Sequence, residues 1–225
     1  MLKVALVYPE LLGTYGDGGN AVVLVERARR RGVDAEVLRV GIDDDMPDAS
    51  IFLLGGGEDG PQRLGADLLR ASSFSARVGD GAYVVAVCAG LQLLGHSFAV
   101  EGDDEYDGLG LVDALTRRGE RRAVGELVVE VEGHALVGFE NHGGRTTLGD
   151  SLAPLGTVRR GVDNDGAVDG FTTSRIWASY AHGPLLAMNP WFADVVLERV
   201  LEVSLEPLAT TADLLYAERT RTLID

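Results

Sequence analysis

Val84-Val85-Ala86-Val87-Cys88-Ala89-Gly90-Leu91-Gln92 runs four strand-forming residues straight into a thiol, with small residues and then helix formers immediately after it. A strand that turns sharply into a helix holds its corner residue in a strained conformation, with the side chain presented at the sheet edge. The first N–H groups of the following helix, and its positive end, aim at that corner and are expected to favour a thiolate. Taken alone, a single cysteine reads as a small core hydrophobe. On this corner it reads as a presented nucleophile.

The flanking sequence repeats the same alternation. Lys3 to Tyr8 is almost wholly apolar, the pattern of a strand covered on both faces. Tyr15 to Asn20 is a turn-rich loop, and Ala21 to Arg31 has helical spacing, with basic residues in its last turn and Gly32 as a stop. Strands are expected over 35–40, 50–54 and 83–87, and helices over 64–78 and 89–98. Beyond about Gly108 the pattern changes. Residues 124–131 and 135–139 look like paired strands, 158–171 suggests a hairpin or long turns, and 176–180 is a short strand. Helices are expected over 191–201 and 211–219. Strands alternating with helices imply an α/β fold with a mostly parallel central sheet, here with added antiparallel strands in the second half. The expected organisation is one domain over residues 1–205, followed by a helical tail over 206–225.

Composition narrows the function. The 225 residues are 46% hydrophobic and carry a formal net charge of −15, which argues against a nucleic-acid partner and against direct adhesion to anionic lipid. The acid is clustered at Asp43-Asp44-Asp45 and across 101–107, which leaves a basic partner surface as one use for it. One cysteine excludes an internal disulfide and a cysteine-rich zinc site, and no metal is expected. No apolar run approaches the ~20 residues that cross a bilayer, and the first residues do not form a signal peptide. A cytoplasmic location is expected.

A thiol nucleophile needs a base and an oxyanion hole. Of the four histidines, His96 lies two turns along the expected helix and points away from Cys88, and His134 sits in a turn. His142 and His182 both follow strands, where α/β sheets place their sites, and either could serve. Gly55-Gly56-Gly57 follows a buried strand and offers unobstructed backbone N–H groups, and Ala89 offers another. The loop has neither the Lys-Ser/Thr of a phosphate loop nor dinucleotide spacing.

Together, Gly55-Gly56-Gly57, Cys88-Ala89-Gly90-Leu91-Gln92 and Tyr180-Ala181-His182-Gly183-Pro184 resemble the class I glutamine amidotransferases. Phe139-Glu140-Asn141-His142 is similar to a segment of the cobyric acid synthase (CobB/CobQ-like) branch. Tyr15 to Asn20, Gly55 to Gln62 and Phe139 to Thr146 resemble the GatD glutaminase subunits of lipid II isoglutaminyl synthases. The resemblance spans about residues 3–202 and implies a flavodoxin-like architecture.

It also implies roles. Cys88 attacks the side-chain amide of L-glutamine, and His182 is the base. Gly56 or Gly57, with Ala89, holds the oxyanion. Gln92 and an arginine in 117–122, taken as Arg122, bind substrate. Many of these enzymes orient the histidine with a glutamate two residues on. Position 184 is proline here, so Asp17, Glu140 or an acid from a partner is expected instead, with Asp17 also able to cap the first helix. Asn141 and His142 are supporting residues. The resemblance further implies a heterodimer with a Mur-ligase-like, MurT-type synthetase that carries ATP and Mg, no cofactor in this chain, and contact with lipid II and its membrane only through that partner. Other acceptors, such as a cobyrinate-type synthetase, and a catalytically silent binding module are the competing readings.

Overall fold

A computed structural model describes residues 1–100, 105–162, 164, 167–221 and 223. Part of the acidic run, 101–104, lies outside the described residues. In chain order the elements are β1 (Leu2–Val7), α1 (Gly19–Arg29), β2 (Ala35–Val40), β3 (Ile51–Leu54), α2 (Asp59–Ala71), α3 (Phe74–Gly79), β4 (Tyr83–Val87) and α4 (Ala89–Leu94). The second half contains β5 (Ser97–Ala99), β6 (Glu105–Asp107), β7 (Ala114–Val131), β8 (His134–Leu148), β9 (Gly156–Arg160), β10 (Val168–Asp169), β11 (Phe171–Thr172) and β12 (Ile176–Ser179). The helices α5 (Leu185–Met188), α6 (Pro190–Leu201) and α7 (Thr211–Thr220) close the chain.

Two sheets form. The first has the order β11-β12-β4-β3-β1-β2 and is parallel except for β11. β3, β12 and all of β4 but Tyr83 are buried, as apolar runs without alternation require when helices cover both faces. The second sheet, β10-β9-β7-β5-β6 with β8 on β7, is built around the long β7–β8 hairpin, which turns at Glu132 and Gly133 with φ of 49° and 82°. The expected α/β architecture is present, including the antiparallel additions after the fourth parallel strand.

Three local expectations need correction. The helix after Cys88 ends at Leu94 rather than 98, because Ser97 and Phe98 pair with Leu115 and Thr116 of β7. The helix expected over 64–78 begins at Asp59 and breaks at Ser72, whose hydroxyl donates to Leu69 O and accepts from the Phe74 N–H. The strand expected over 124–131 starts at Ala114 and takes in the run from Arg117 to Arg122. That run lies within β7 at a register shift between Arg118 and Ala123. An all-polar stretch carries no strand signal of its own; Arg117 and Arg118 pair with Arg145 and Gly144 of β8, and pairing resumes at Ala123.

Helix α4 seats against β3 through Gly90, whose N–H donates to Gly55 O at 3.1 Å. A Cβ there would lie 2.5 Å from Leu54 O and 2.6 Å from Leu54 Cβ. Gly90→Ala is therefore expected to destabilise the fold by about 1–3 kcal/mol through overpacking against backbone. Chemical denaturation reads this as a lower midpoint, and an unchanged midpoint would refute the close packing.

Candidate active site

Cys88 adopts φ 52°, ψ −107° between β4 and α4, a conformation that L-residues rarely hold and that costs on the order of 1–3 kcal/mol. Its N–H donates to Ser179 O at 2.9 Å, extending the β4–β12 pairing by one step to the carboxyl edge of the sheet. The thiol is 5% exposed. Burial pushes its pKa up to about 12, and the Asp17 carboxylate adds to the rise; the Ala89 N–H and the Arg122 guanidinium oppose it. This runs against the expectation that the corner favours a thiolate. A six-residue helix cannot outweigh complete desolvation, so the resting sulfur keeps its proton and a base must take it.

A candidate for that base lies on the adjacent strand's extension. His182 follows β12 and is completely buried. It is fixed by a backbone bridge to Phe139, which donates to His182 O at 3.2 Å and accepts from the His182 N–H at 2.9 Å. Its Nδ1 lies 3.2 Å from Asp17 Oδ2 and 3.4 Å from Oδ1. A carboxylate only accepts, so Nδ1 carries the hydrogen and Nε2 presents a lone pair. Nε2 is buried and has no partner among the described residues. An unpaired buried nitrogen is a penalty to stability that a proton acceptor in waiting accounts for.

Asp17 does not cap α1, which has no side-chain cap. Its Oδ2 accepts instead from the Gly56 N–H at 2.8 Å. Asp17 thus joins the glycine loop to the histidine, and the carboxylate missing at Pro184 arrives from the β1–α1 loop. The same bond removes Gly56 from the expected oxyanion donors, because its N–H is already given to Asp17. Gly57 N–H has no such partner among the described residues and lines the cleft with Cys88. Gly56 matters for space: a Cβ there would lie 2.6 Å from His182 Cε1.

Gly57, Glu58, Gln92, Arg122, Asn141 and His142 surround the cleft above Cys88. Arg122 projects from the β7 irregularity, donating through Nε to Asn141 Oδ1 at 2.6 Å and through Nη2 to Asn141 O at 3.3 Å. Gln92 is already committed: its Oε1 accepts from Gln62 Nε2 at 2.8 Å, and its Nε2 donates to the Tyr180 hydroxyl at 3.1 Å. It braces the cleft floor. Glu140 does not reach His182; its Oε2 lies 3.2 Å from His142 Nε2 and its Oε1 accepts from the Val162 N–H at 2.8 Å. His142 Nδ1 faces Gly144 O at 2.9 Å, and the ring stacks on Tyr180 at 3.8 Å. Both ring nitrogens of His142 are thus already engaged, whereas His182 keeps Nε2 without a partner among the described residues, which favours His182 of the two strand-end histidines.

Tyr15 and Glu58 were not singled out from the sequence, although both lie in the motif segments around Asn20 and Gly55. The Tyr15 ring covers His182 at 4.4 Å between centroids, and its hydroxyl donates to Glu58 Oε1 at 3.0 Å. Among the described residues, no cluster of three or more His, Cys, Asp or Glu side chains could hold a metal ion, and no helix is long and apolar enough to cross a membrane.

The sequence model of the CobB/CobQ-like glutamine amidotransferase domain matches residues 3–190. The chain is 34% identical over 197 residues to the lipid II isoglutaminyl synthase (glutamine-hydrolyzing) subunit GatD of Streptococcus pneumoniae, an alignment covering 84% of this chain and 76% of that protein. It is 32% identical over 198 residues to the subunit of the same name from Staphylococcus aureus, covering 85% and 81%. A cobyric acid synthase of Pelotomaculum thermopropionicum is 35% identical over 133 residues, covering 50% of this chain and 25% of that protein. Among solved structures, a glutamine amidotransferase superposes with a TM-score of 0.62 at 20% identity, covering 88% of this chain and 98% of that one. PurLQS from Thermotoga maritima gives 0.58 at 15% identity, covering 89% and 95%, and both likenesses concern the fold.

Proposed function

As this chain belongs to the CobB/CobQ-like glutamine amidotransferase family, we propose that it hydrolyses L-glutamine at Cys88 and serves as the ammonia-supplying subunit of a lipid II isoglutaminyl synthase. The observation that carries the reading is a strained, buried thiol at the carboxyl end of β4 and, just beyond the carboxyl end of neighbouring β12, a buried imidazole whose Nε2 has no partner among the described residues and whose Nδ1 is held by Asp17.

In this reading, Nε2 of His182 takes the thiol proton as sulfur attacks the carboxamide carbon of glutamine. The oxyanion forms against the Gly57 and Ala89 N–H groups, a contribution of roughly 3 kcal/mol per donor. Collapse of the tetrahedral species expels ammonia, protonated by the imidazolium, and leaves a γ-glutamyl thioester on Cys88. His182 then activates water, hydrolysis releases glutamate, and the thiol is restored. Asp17 keeps the imidazole in the required tautomer throughout. Arg122 suits the α-carboxylate of the substrate, because its planar fork binds carboxylates bidentately.

Ammonia released here would pass to a Mur-ligase-like, MurT-type partner. That subunit, carrying ATP and Mg, would activate the α-carboxyl of D-glutamate in lipid II as an acyl phosphate, and ammonia would displace the phosphate to give D-isoglutamine. The cobyrinate-type alternative is weakened by coverage, since this chain spans only a quarter of the cobyric acid synthase it matches but about four-fifths of the GatD subunits. The test is co-purification with the ligase, followed by glutamine-dependent amidation of lipid II. Glutamate release without lipid II amidation by the complex would refute the acceptor.

A further inference from the structure

The mouth of the cleft holds two opposite charges that converge on one atom. Glu58, between β3 and α2, and Arg122, in the β7 irregularity, line the cleft together with Cys88. The Tyr15 hydroxyl donates to Glu58 Oε1 at 3.0 Å and accepts from Arg122 Nη2 at 3.4 Å. Asn141 Nδ2 donates to the same oxygen at 3.2 Å. A single neutral hydroxyl thus stands between a carboxylate and a guanidinium. Those two groups are the natural partners of an ammonium and a carboxylate carried on one carbon, the head of a free α-amino acid.

We infer that Glu58 binds the α-ammonium of glutamine, opposite Arg122 on the α-carboxylate, so that the cleft selects glutamine with a free amino group over N-acylated or peptide-bound glutamine. This rests on the reading of Cys88 as the nucleophile that attacks glutamine. The Tyr15 hydroxyl holds the place between the two charges and yields it as the amino-acid head arrives. Neighbouring Asp59 also lies on the cleft wall, but Glu58 is the carboxylate bonded to the Tyr15 hydroxyl. Charge supports the assignment. The Glu58 carboxylate disfavours ionisation of Cys88, a poor location for an anion that no ligand uses. An arriving ammonium would offset that charge at the moment the sulfur must lose its proton.

The test uses the full chain and two glutamine-mimicking diazoketones, 6-diazo-5-oxo-L-norleucine and its N-acetyl derivative. Each alkylates the thiol with loss of dinitrogen, and mass spectrometry follows the adduct on Cys88. The readout is the ratio of the two second-order rate constants, because a general change in thiol reactivity cancels in it. The wild type is expected to prefer the free-amine reagent, and Glu58→Gln to lose about 10- to 100-fold of that preference, the range typical of one hydrogen bond to a charged group. Glu58 is exposed and makes no side-chain cap to α2, so the variant should fold. An unchanged ratio in Glu58→Gln overturns the subsite and leaves the glutaminase reading standing. Failure of the free-amine reagent to label wild-type Cys88 overturns both.

Discussion

Replacing Cys88 with alanine is expected to lower glutamine hydrolysis by roughly 10⁴-fold or more, with the fold intact. The sulfur is the only thiol in the chain, and no second nucleophile occupies the corner. Alanine keeps the Cβ and therefore the strain of φ 52°, ψ −107°, so its stability should stay close to the wild type. Glycine at the same position removes the Cβ that makes this conformation costly. Cys88→Gly should be equally inactive yet more stable than Cys88→Ala by about 1 kcal/mol, read from denaturation midpoints. That pairing of lost activity with regained stability would identify the strain as a feature of the nucleophile's presentation. Glutaminase activity surviving in the purified Cys88→Ala chain or its complex would end the nucleophile assignment.

The second large effect concerns Asp17, which serves two neighbours at once. Its carboxylate accepts from the Gly56 N–H and lies against His182 Nδ1. An asparagine removes the negative charge and sets an NH₂ in place of one of the two oxygens that lie within 3.4 Å of His182 Nδ1, so the hold on that N–H weakens. Asp17→Asn is expected to reduce kcat about 10³-fold, near 4 kcal/mol of transition-state stabilisation, with KM for glutamine little changed.

The same variant should move thiol chemistry the opposite way. Burial and the Asp17 charge, in that order, raise the Cys88 pKa to about 12. Wild-type alkylation by a neutral reagent should therefore climb about tenfold per pH unit well beyond the ordinary thiol range. Removing the anion lowers the pKa while burial persists, so in Asp17→Asn the rise should level off at lower pH. A slower enzyme with a more easily ionised nucleophile is a signature that simple misfolding does not produce. Wild-type kcat in Asp17→Asn would refute the orienting role.

The contrast between Cys88 and Asp17 marks where reading the chain stops. The corner at Cys88 was legible because its determinants are local: four apolar residues, a thiol and two small residues within one short segment. The parallel strands were legible for the same reason, since burial on both faces writes itself as an unbroken apolar run. Elements whose existence depends on a distant partner were not. The strand pairing of Ser97 and Phe98 overrode an apolar pattern that continued the helix, and pairing with β8 on both sides of the irregularity drew the polar residues from Arg117 to Arg122 into β7.

The site divides in the same way. Residue chemistry and order along the chain sufficed to place Cys88, the glycine loop and a strand-end histidine at the carboxyl edge of one sheet. They left His142 and His182 equivalent, Gly56 and Gly57 interchangeable, and Asp17 with two possible duties. Packing separated them. His142 is closed off by Glu140 and Gly144, Gly56 gives its N–H to Asp17, and Asp17 meets a histidine 165 positions away. Local sequence encodes burial and backbone preference, which are properties of single segments. Which carboxylate reaches which imidazole is a distance between segments, and only the assembled sheet and its connecting loops set that distance.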